Sequence, residues 1–102
     1  MSDVLSVVAE IRAAKGKGDA LAALLKEQAA VVKKNEPGCL VYRPHRSTKD
    51  PDVFIFYEQY KDDAAFDVHR KAAYLAEYRA RREKEGLTEG ATEVEFYRSL
   101  TD

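Results

Sequence analysis

The stretch "DVFIFYEQYKDDAAFDVH", residues 52–69, decides the fold of this chain. Its first half, residues 52–60, is rich in aromatic and β-branched side chains at alternating positions, a pattern that predicts a β-strand. Asp62 is then placed to cap a helix, and Asp63 lies where the helix dipole favours negative charge. The stretch predicts a strand that passes directly into a helix, and His69 lies two turns into that helix.

The chain before this stretch predicts one strand and one long helix. Apolar residues alternate over residues 4–13, which indicates a strand. Asp19 is a candidate cap for a helix that runs to about Lys34. Pro37 and Gly38 then end the helix, because a proline disfavours helical backbone at the preceding residue and glycine permits a sharp turn.

Two further strands complete the order β-α-β-β-α-β. They are predicted for residues 39–46 and 92–100, and the helix that Asp62 begins extends to about Glu85, with or without a break. Four strands and two helices in this order predict an α+β, ferredoxin-like fold, an antiparallel sheet with the helices on one face. A length of 102 residues predicts one domain, residues 1–102.

Apolar side chains on both faces of the middle strands predict a second partner for the sheet. In the strand 52–60, Phe54 and Phe56 face one side while Val53 and Ile55 face the other. Two helices on one face leave the opposite apolar face uncovered. The simplest cover is a second copy of the sheet, so the sequence predicts a homodimer.

Composition narrows the class of protein. With 17 basic and 18 acidic residues the net charge is −1, which disfavours nucleic acid as a partner. The single cysteine, Cys39, cannot form an internal disulfide, and the N-terminus shows no basic segment followed by an apolar run. No stretch has the 18 or more apolar residues of a membrane span. These features predict a cytoplasmic protein with no membrane segment.

His69 is the first candidate for chemistry. It shares one side of its predicted helix with Ala65, Phe66 and Ala73, so this side faces the sheet. An inward imidazole must find hydrogen-bond partners. Two interpretations stay open: a core histidine satisfied structurally, or a proton donor and acceptor that lines a pocket.

Glu58 is the second candidate, because a carboxylate on an aromatic strand face is costly unless it is paired. Glu58 either orients His69 or forms a structural ion pair with one of three arginines, Arg43, Arg46 or Arg98. Six aromatic side chains suit a pocket for a flat ligand, although core packing explains them equally well: Tyr42, Phe54, Phe56, Tyr60, Phe66 and Tyr74. The histidine spacing and the lack of a phosphate-binding loop predict neither metal nor nucleotide cofactor.

The ordered motifs resemble the antibiotic biosynthesis monooxygenase superfamily, and within it the small quinol monooxygenase-like members. The matching segments are EPGC at 36–39, EQY at 58–60 and AFDVH at 65–69. This resemblance covers about the whole chain. It implies a dimeric α+β barrel in which two sheets pack face to face. Members with known chemistry oxidise quinols, anthrones or related phenols with O₂, without flavin or metal.

The resemblance also implies roles for the candidate residues. His69 takes or holds the phenolic proton, Glu58 orients it or stabilises its charge, and Tyr60 and Tyr74 position the ring of a small aromatic substrate. Members of this type often carry serine and a second histidine where this chain has Ala72 and Tyr74. Two alternatives therefore stay open: an isomerase of a small oxygenated metabolite, and a non-enzymatic ligand-binding or stress protein.

Overall fold

In the computed structural model, which describes residues 2–102, the predicted strand 52–60 lies inside a four-stranded antiparallel sheet of order β2-β3-β1-β4. The elements are β1 (Leu5–Arg12), α1 (Gly18–Asn35), β2 (Cys39–Arg46), β3 (Val53–Tyr60), α2 (Asp63–Lys71), α3 (Ala73–Lys84) and β4 (Glu93–Arg98). The predicted α+β, ferredoxin-like fold is confirmed. Within residues 2–102, no helix is long and apolar enough to cross a membrane.

The core forms where the inward faces of the central strands meet α1. Strands β1 and β3 pair with Ala9 opposite Phe56 and Ile11 opposite Phe54, so their apolar side chains share one face. Leu21 and Leu25 of α1 are almost fully buried against this face. Burying one such leucine stabilises the fold by about 1.5–3 kcal/mol.

The start of α2 agrees with the prediction from sequence. Asp62 is the N-cap residue, and its carboxylate accepts a hydrogen bond of 2.8 Å from the backbone N–H of Ala65. This bond satisfies one of the backbone donors that a helix leaves free at its N-terminus. The strand-to-helix junction is therefore fixed two residues after β3 ends.

Asp19 was wrong as the cap of α1. The helix begins at Gly18, with Lys17 in the cap position, and Asp19 lies in the first turn, where its carboxylate is 3.0 Å from Arg46. A side chain at Gly18 would place a Cβ 2.6 Å from the Arg46 guanidinium and 3.2 Å from the Asp52 carboxylate. Glycine lets this first turn approach the end of β2 closely, and the helix starts there.

The helix predicted after Asp62, with or without a break, is two helices. Ala72 has extended backbone, with φ −67° and ψ 135°, and it separates α2 from α3. An alanine side chain gives no reason for a break. The change of direction buries Leu75 and Tyr78 of α3 in the core, so tertiary packing accounts for the break.

The sheet face opposite the helices has no cover within the described chain. Val53, Ile55 and Tyr57 of β3 are half-buried there, although their neighbours on the helix side are buried. Val8 of β1 is also half-buried, and Tyr97 of β4 is 55% exposed. Apolar and aromatic side chains thus recur across this face, with Glu10 and Glu95 among them, as the alternation in the sequence predicted.

Candidate functional site

A cavity of about 380 Å³ lies between the helix side of the sheet and helices α2 and α3. Its walls are mostly apolar and are formed by Val7, Ala9, Ile11, Phe66, Leu75 and Val94. The polar lining residues are Tyr42, Glu58, His69 and Thr92, together with three arginines, Arg70, Arg79 and Arg82. A volume of this size with a few polar groups suits a small organic ligand.

Helix α2 carries His69 into this cavity, as its helical spacing predicted. The side chain is 4% exposed, and Nδ1 lies 3.0 and 3.1 Å from the two carboxylate oxygens of Glu36. An ionised carboxylate only accepts hydrogen bonds, so Nδ1 carries the ring proton and donates a hydrogen bond to Glu36. In the neutral imidazole, Nε2 is then an acceptor, and it lies 3.9 Å from Oε1 of Glu58.

Glu36 is the site residue that sequence reasoning missed. It ends α1, its side chain is buried, and it also accepts a hydrogen bond from the Tyr74 hydroxyl. The signal was present, because Glu36 opens the EPGC motif at 36–39, but that segment was interpreted as a turn. In the structure, this turn places the Glu36 carboxylate beside the imidazole of His69.

Glu58 projects from β3 and is 5% exposed. Its Oε1 accepts a hydrogen bond of 2.6 Å from the Tyr60 hydroxyl. Burial raises the pKa of the Glu58 carboxyl to about 7; the charge of Glu36 acts in the same direction, and the Tyr60 hydrogen bond and Arg79 oppose it. Near neutral pH this side chain is therefore present both as acid and as carboxylate.

The arginine partners considered for Glu58 were wrong. Arg46 instead pairs with Asp19 at 3.0 Å, and Arg98 pairs with Asp63 at 2.8 Å. Arg43 is exposed and forms no ion pair within residues 2–102. Nε2 of His69, 3.9 Å away, is the side-chain nitrogen that the fold brings near this carboxyl.

Three of the six candidate aromatic residues line the cavity, namely Tyr42, Phe56 and Phe66. Tyr42 stacks on Phe56 with ring centroids 4.4 Å apart, and burial raises the pKa of the Tyr42 hydroxyl, which keeps it a donor. The other three do not line the cavity. Tyr60 is fully buried and holds Glu58, Tyr74 holds Glu36, and Phe54 belongs to the core beneath the Arg46 guanidinium.

The imidazole of His69 and the carboxyl of Glu58 lie close together but form no direct hydrogen bond with each other. At 3.9 Å, Nε2 of His69 and Oε1 of Glu58 are too far apart for a direct hydrogen bond. Both line the same cavity, so one hydroxyl of a ligand can contact both atoms. Among the described residues 2–102, no group of three or more His, Cys, Asp or Glu side chains is arranged to hold a metal ion.

The fold and the site together define a class of protein: a ferredoxin-like α+β domain with a pocket between sheet and helices that His69 and Glu58 line. The family model for antibiotic biosynthesis monooxygenase matches residues 4–84. The chain belongs to this family, which confirms the resemblance seen in its motifs.

Solved structures agree with this assignment. Protein PA3566 from Pseudomonas aeruginosa is 32% identical, with 99% of this chain and 98% of that chain covered and a TM-score of 0.82. Protein SO0527 from Shewanella oneidensis is 30% identical, with 95% and 91% covered and a TM-score of 0.84. A candidate antibiotic biosynthesis monooxygenase from Caulobacter crescentus CB15 is 28% identical, with 98% and 92% covered and a TM-score of 0.90. No curated protein matches the chain.

Proposed function

We propose that this protein is a cofactor-independent monooxygenase that oxidises a small electron-rich phenol or quinol with O₂. The observation that supports it most is geometric: Nε2 of His69, whose Nδ1 contacts Glu36, lies 3.9 Å from Oε1 of Glu58, and both side chains line one cavity. A phenol must lose its proton before it can readily give electrons to O₂. A site that accepts this proton and stabilises the resulting oxyanion meets that need.

His69 is the base in this proposal. Its Nε2 accepts the phenolic proton, and the imidazolium that forms is stabilised by the Glu36 carboxylate at Nδ1. Tyr74 holds Glu36 in turn, so Tyr74 acts on the imidazole through that carboxylate and does not touch the substrate. The imidazole is thereby fixed in one tautomer and one orientation.

Glu58 stabilises the phenolate oxygen. With its pKa raised to about 7, a large share of the side chain is protonated near neutral pH and can donate a hydrogen bond to the new oxyanion. The mostly apolar walls of the cavity strengthen these interactions by lowering the local polarity.

The overall reaction balances without another reductant. A quinol ring C–H becomes C–OH, the quinol becomes a hydroxyquinone, one oxygen atom of O₂ enters the ring, and the other leaves as water. The substrate supplies all four electrons. The residues of the chain contribute binding, deprotonation and a dry pocket.

We also propose that the protein works as a homodimer whose sheets pack face to face. The half-buried patch formed by Val8, Val53, Ile55 and Tyr57 supports this arrangement. A second copy is the partner that offers a matching surface of the same shape and polarity. The cavity lies on the other side of the sheet, so dimer formation leaves it accessible.

The experiment compares wild type and His69→Ala for O₂ uptake with 1,4-naphthohydroquinone, corrected for its spontaneous oxidation. The loss of a general base predicts a fall of about 10²–10⁴-fold in turnover per folded molecule. Thermal unfolding is measured on the same preparations, because a purely structural His69 would lower stability and leave specific turnover unchanged. Isomerisation of a substrate without O₂ would favour the isomerase, and saturable binding without product would favour a ligand-binding protein.

A further inference from the structure

We propose that the natural substrate carries an anionic group, a carboxylate or a phosphate, that Arg79 and Arg82 bind. This inference deepens the proposed function, since it rests on the same cavity with the phenol at His69 and Glu58. It concerns binding alone, so it can be tested independently of O₂ chemistry.

The evidence begins with the pairing of arginines across the molecule. Five arginines have a carboxylate partner within 4.0 Å in the described residues 2–102: Arg12, Arg46, Arg70, Arg81 and Arg98. Arg79 and Arg82 have none there, and both line the cavity. Most arginines of this protein form an ion pair with a carboxylate. Two arginines without such a partner at one cavity therefore indicate a site for an external anion.

The guanidinium of Arg82 is held in place by neutral groups. Nη1 donates to the Tyr78 hydroxyl at 3.1 Å, Nη2 donates to Thr92 Oγ1 at 3.0 Å, and the group lies 5.3 Å from the centre of the Tyr78 ring. These contacts fix its position without cancelling its charge. A guanidinium has five N–H donors, so several remain for an oxyanion.

Arg79 lies three residues before Arg82 on α3, which places the two side chains on neighbouring parts of the helix surface. Its charge lowers the pKa of Glu58, in opposition to burial, so it acts across the cavity. Glu83 lines an adjacent hollow with both arginines but lies beyond ion-pair distance of either. Arg70 also lines the cavity, but Asp67 balances its charge.

The cavity lining therefore includes two chemically different sets of polar side chains among mostly apolar ones. His69 and Glu58 suit a hydroxyl that can be deprotonated, and the unpaired guanidiniums suit an anion. An aromatic ring system with a phenol at one end and an acidic group at the other fits both. A neutral phenol would leave the arginine charges without a partner.

Isothermal titration calorimetry tests this with three probes: 6-hydroxy-2-naphthoate, 2-naphthol and 6-hydroxy-2-naphthyl phosphate. The naphthoate is expected to bind about fivefold or more tighter than 2-naphthol at low salt, the discrimination of a good exposed ion pair. Arg79→Gln removes a positive charge. Arg82→Lys keeps the charge and removes the fork geometry of the guanidinium. Arg81→Gln is the matched control, since Arg81 pairs with Glu27 and Glu85 away from the cavity.

The expected result is that Arg79→Gln removes most of the preference for the acid, while Arg81→Gln retains it. Tighter binding of the phosphate than of the naphthoate would assign the anion as phosphate, and the reverse order would assign it as carboxylate. Equal binding of 2-naphthol and the naphthoate, a preference that survives Arg79→Gln, or no binding of either acid would overturn the inference. Failure of O₂ uptake with intact acid binding would overturn the proposed monooxygenase and not this site.

Discussion

Glu58→Gln tests the electrostatic description of the site directly. The Glu58 side chain is 5% exposed, and burial is the largest cause that raises the pKa of this carboxyl from 4.5 to about 7. Glutamine keeps the shape of the side chain and an oxygen that accepts the Tyr60 hydroxyl, but it does not ionise. The substitution therefore removes one titration and leaves the packing nearly unchanged.

The free energy of unfolding depends on pH through this carboxyl. Its folded-state pKa lies above its unfolded value, so the folded chain holds a proton that the unfolded chain has already released. The stabilising contribution of this carboxyl to the folded wild type is therefore fully present below pH 4.5 and is lost as pH rises through about 7. At about 1.4 kcal/mol per pKa unit, the loss is on the order of 3 kcal/mol.

Urea unfolding at one fixed protein concentration and a series of pH values measures this loss. Tyrosine fluorescence is a suitable signal, because the chain has six tyrosines and no tryptophan. Between pH 4.5 and about 8, wild type should lose about 3 kcal/mol relative to Glu58→Gln. Glu77→Gln, which changes an exposed carboxylate on α3, should follow the wild-type pH dependence. Parallel curves for wild type and Glu58→Gln would refute the buried, protonated carboxyl.

Three further outcomes are expected. Glu36→Gln should lower turnover per folded molecule by about 10²–10⁴-fold, because an amide can also donate a hydrogen bond and so favour the wrong tautomer of His69. Turnover equal to wild type would show that Glu36 has no part in catalysis. Gly38→Ala should cost about 1–3 kcal/mol in urea unfolding, since its Cβ would lie 2.8 Å from that of Ala65; an unchanged midpoint would contradict this packing. Sedimentation should show a dimer at micromolar concentration and a shift towards monomer for Ile55→Asp, and a monomeric wild type would contradict the face-to-face sheets.

Local periodicity determined the elements of this protein. The alternation in residues 52–60 placed Phe54, Phe56 and Glu58 on one buried face, as the structure shows. Helical spacing turned His69 inward, and Asp62 began the helix. These features depend on residues within a few positions of one another, so a single sequence specifies them without knowledge of the fold.

Only the tertiary structure decided which polar groups meet. Glu36 and His69 are 33 residues apart, and their contact depends on where α1 ends relative to α2. The break at Ala72 cannot be predicted from an alanine, yet Tyr74 bonds Glu36 just beyond it. Likewise, no local pattern distinguishes Arg79 from the paired Arg81. Side-chain partners across a fold are set by how whole elements pack, and that packing is a property of the complete chain.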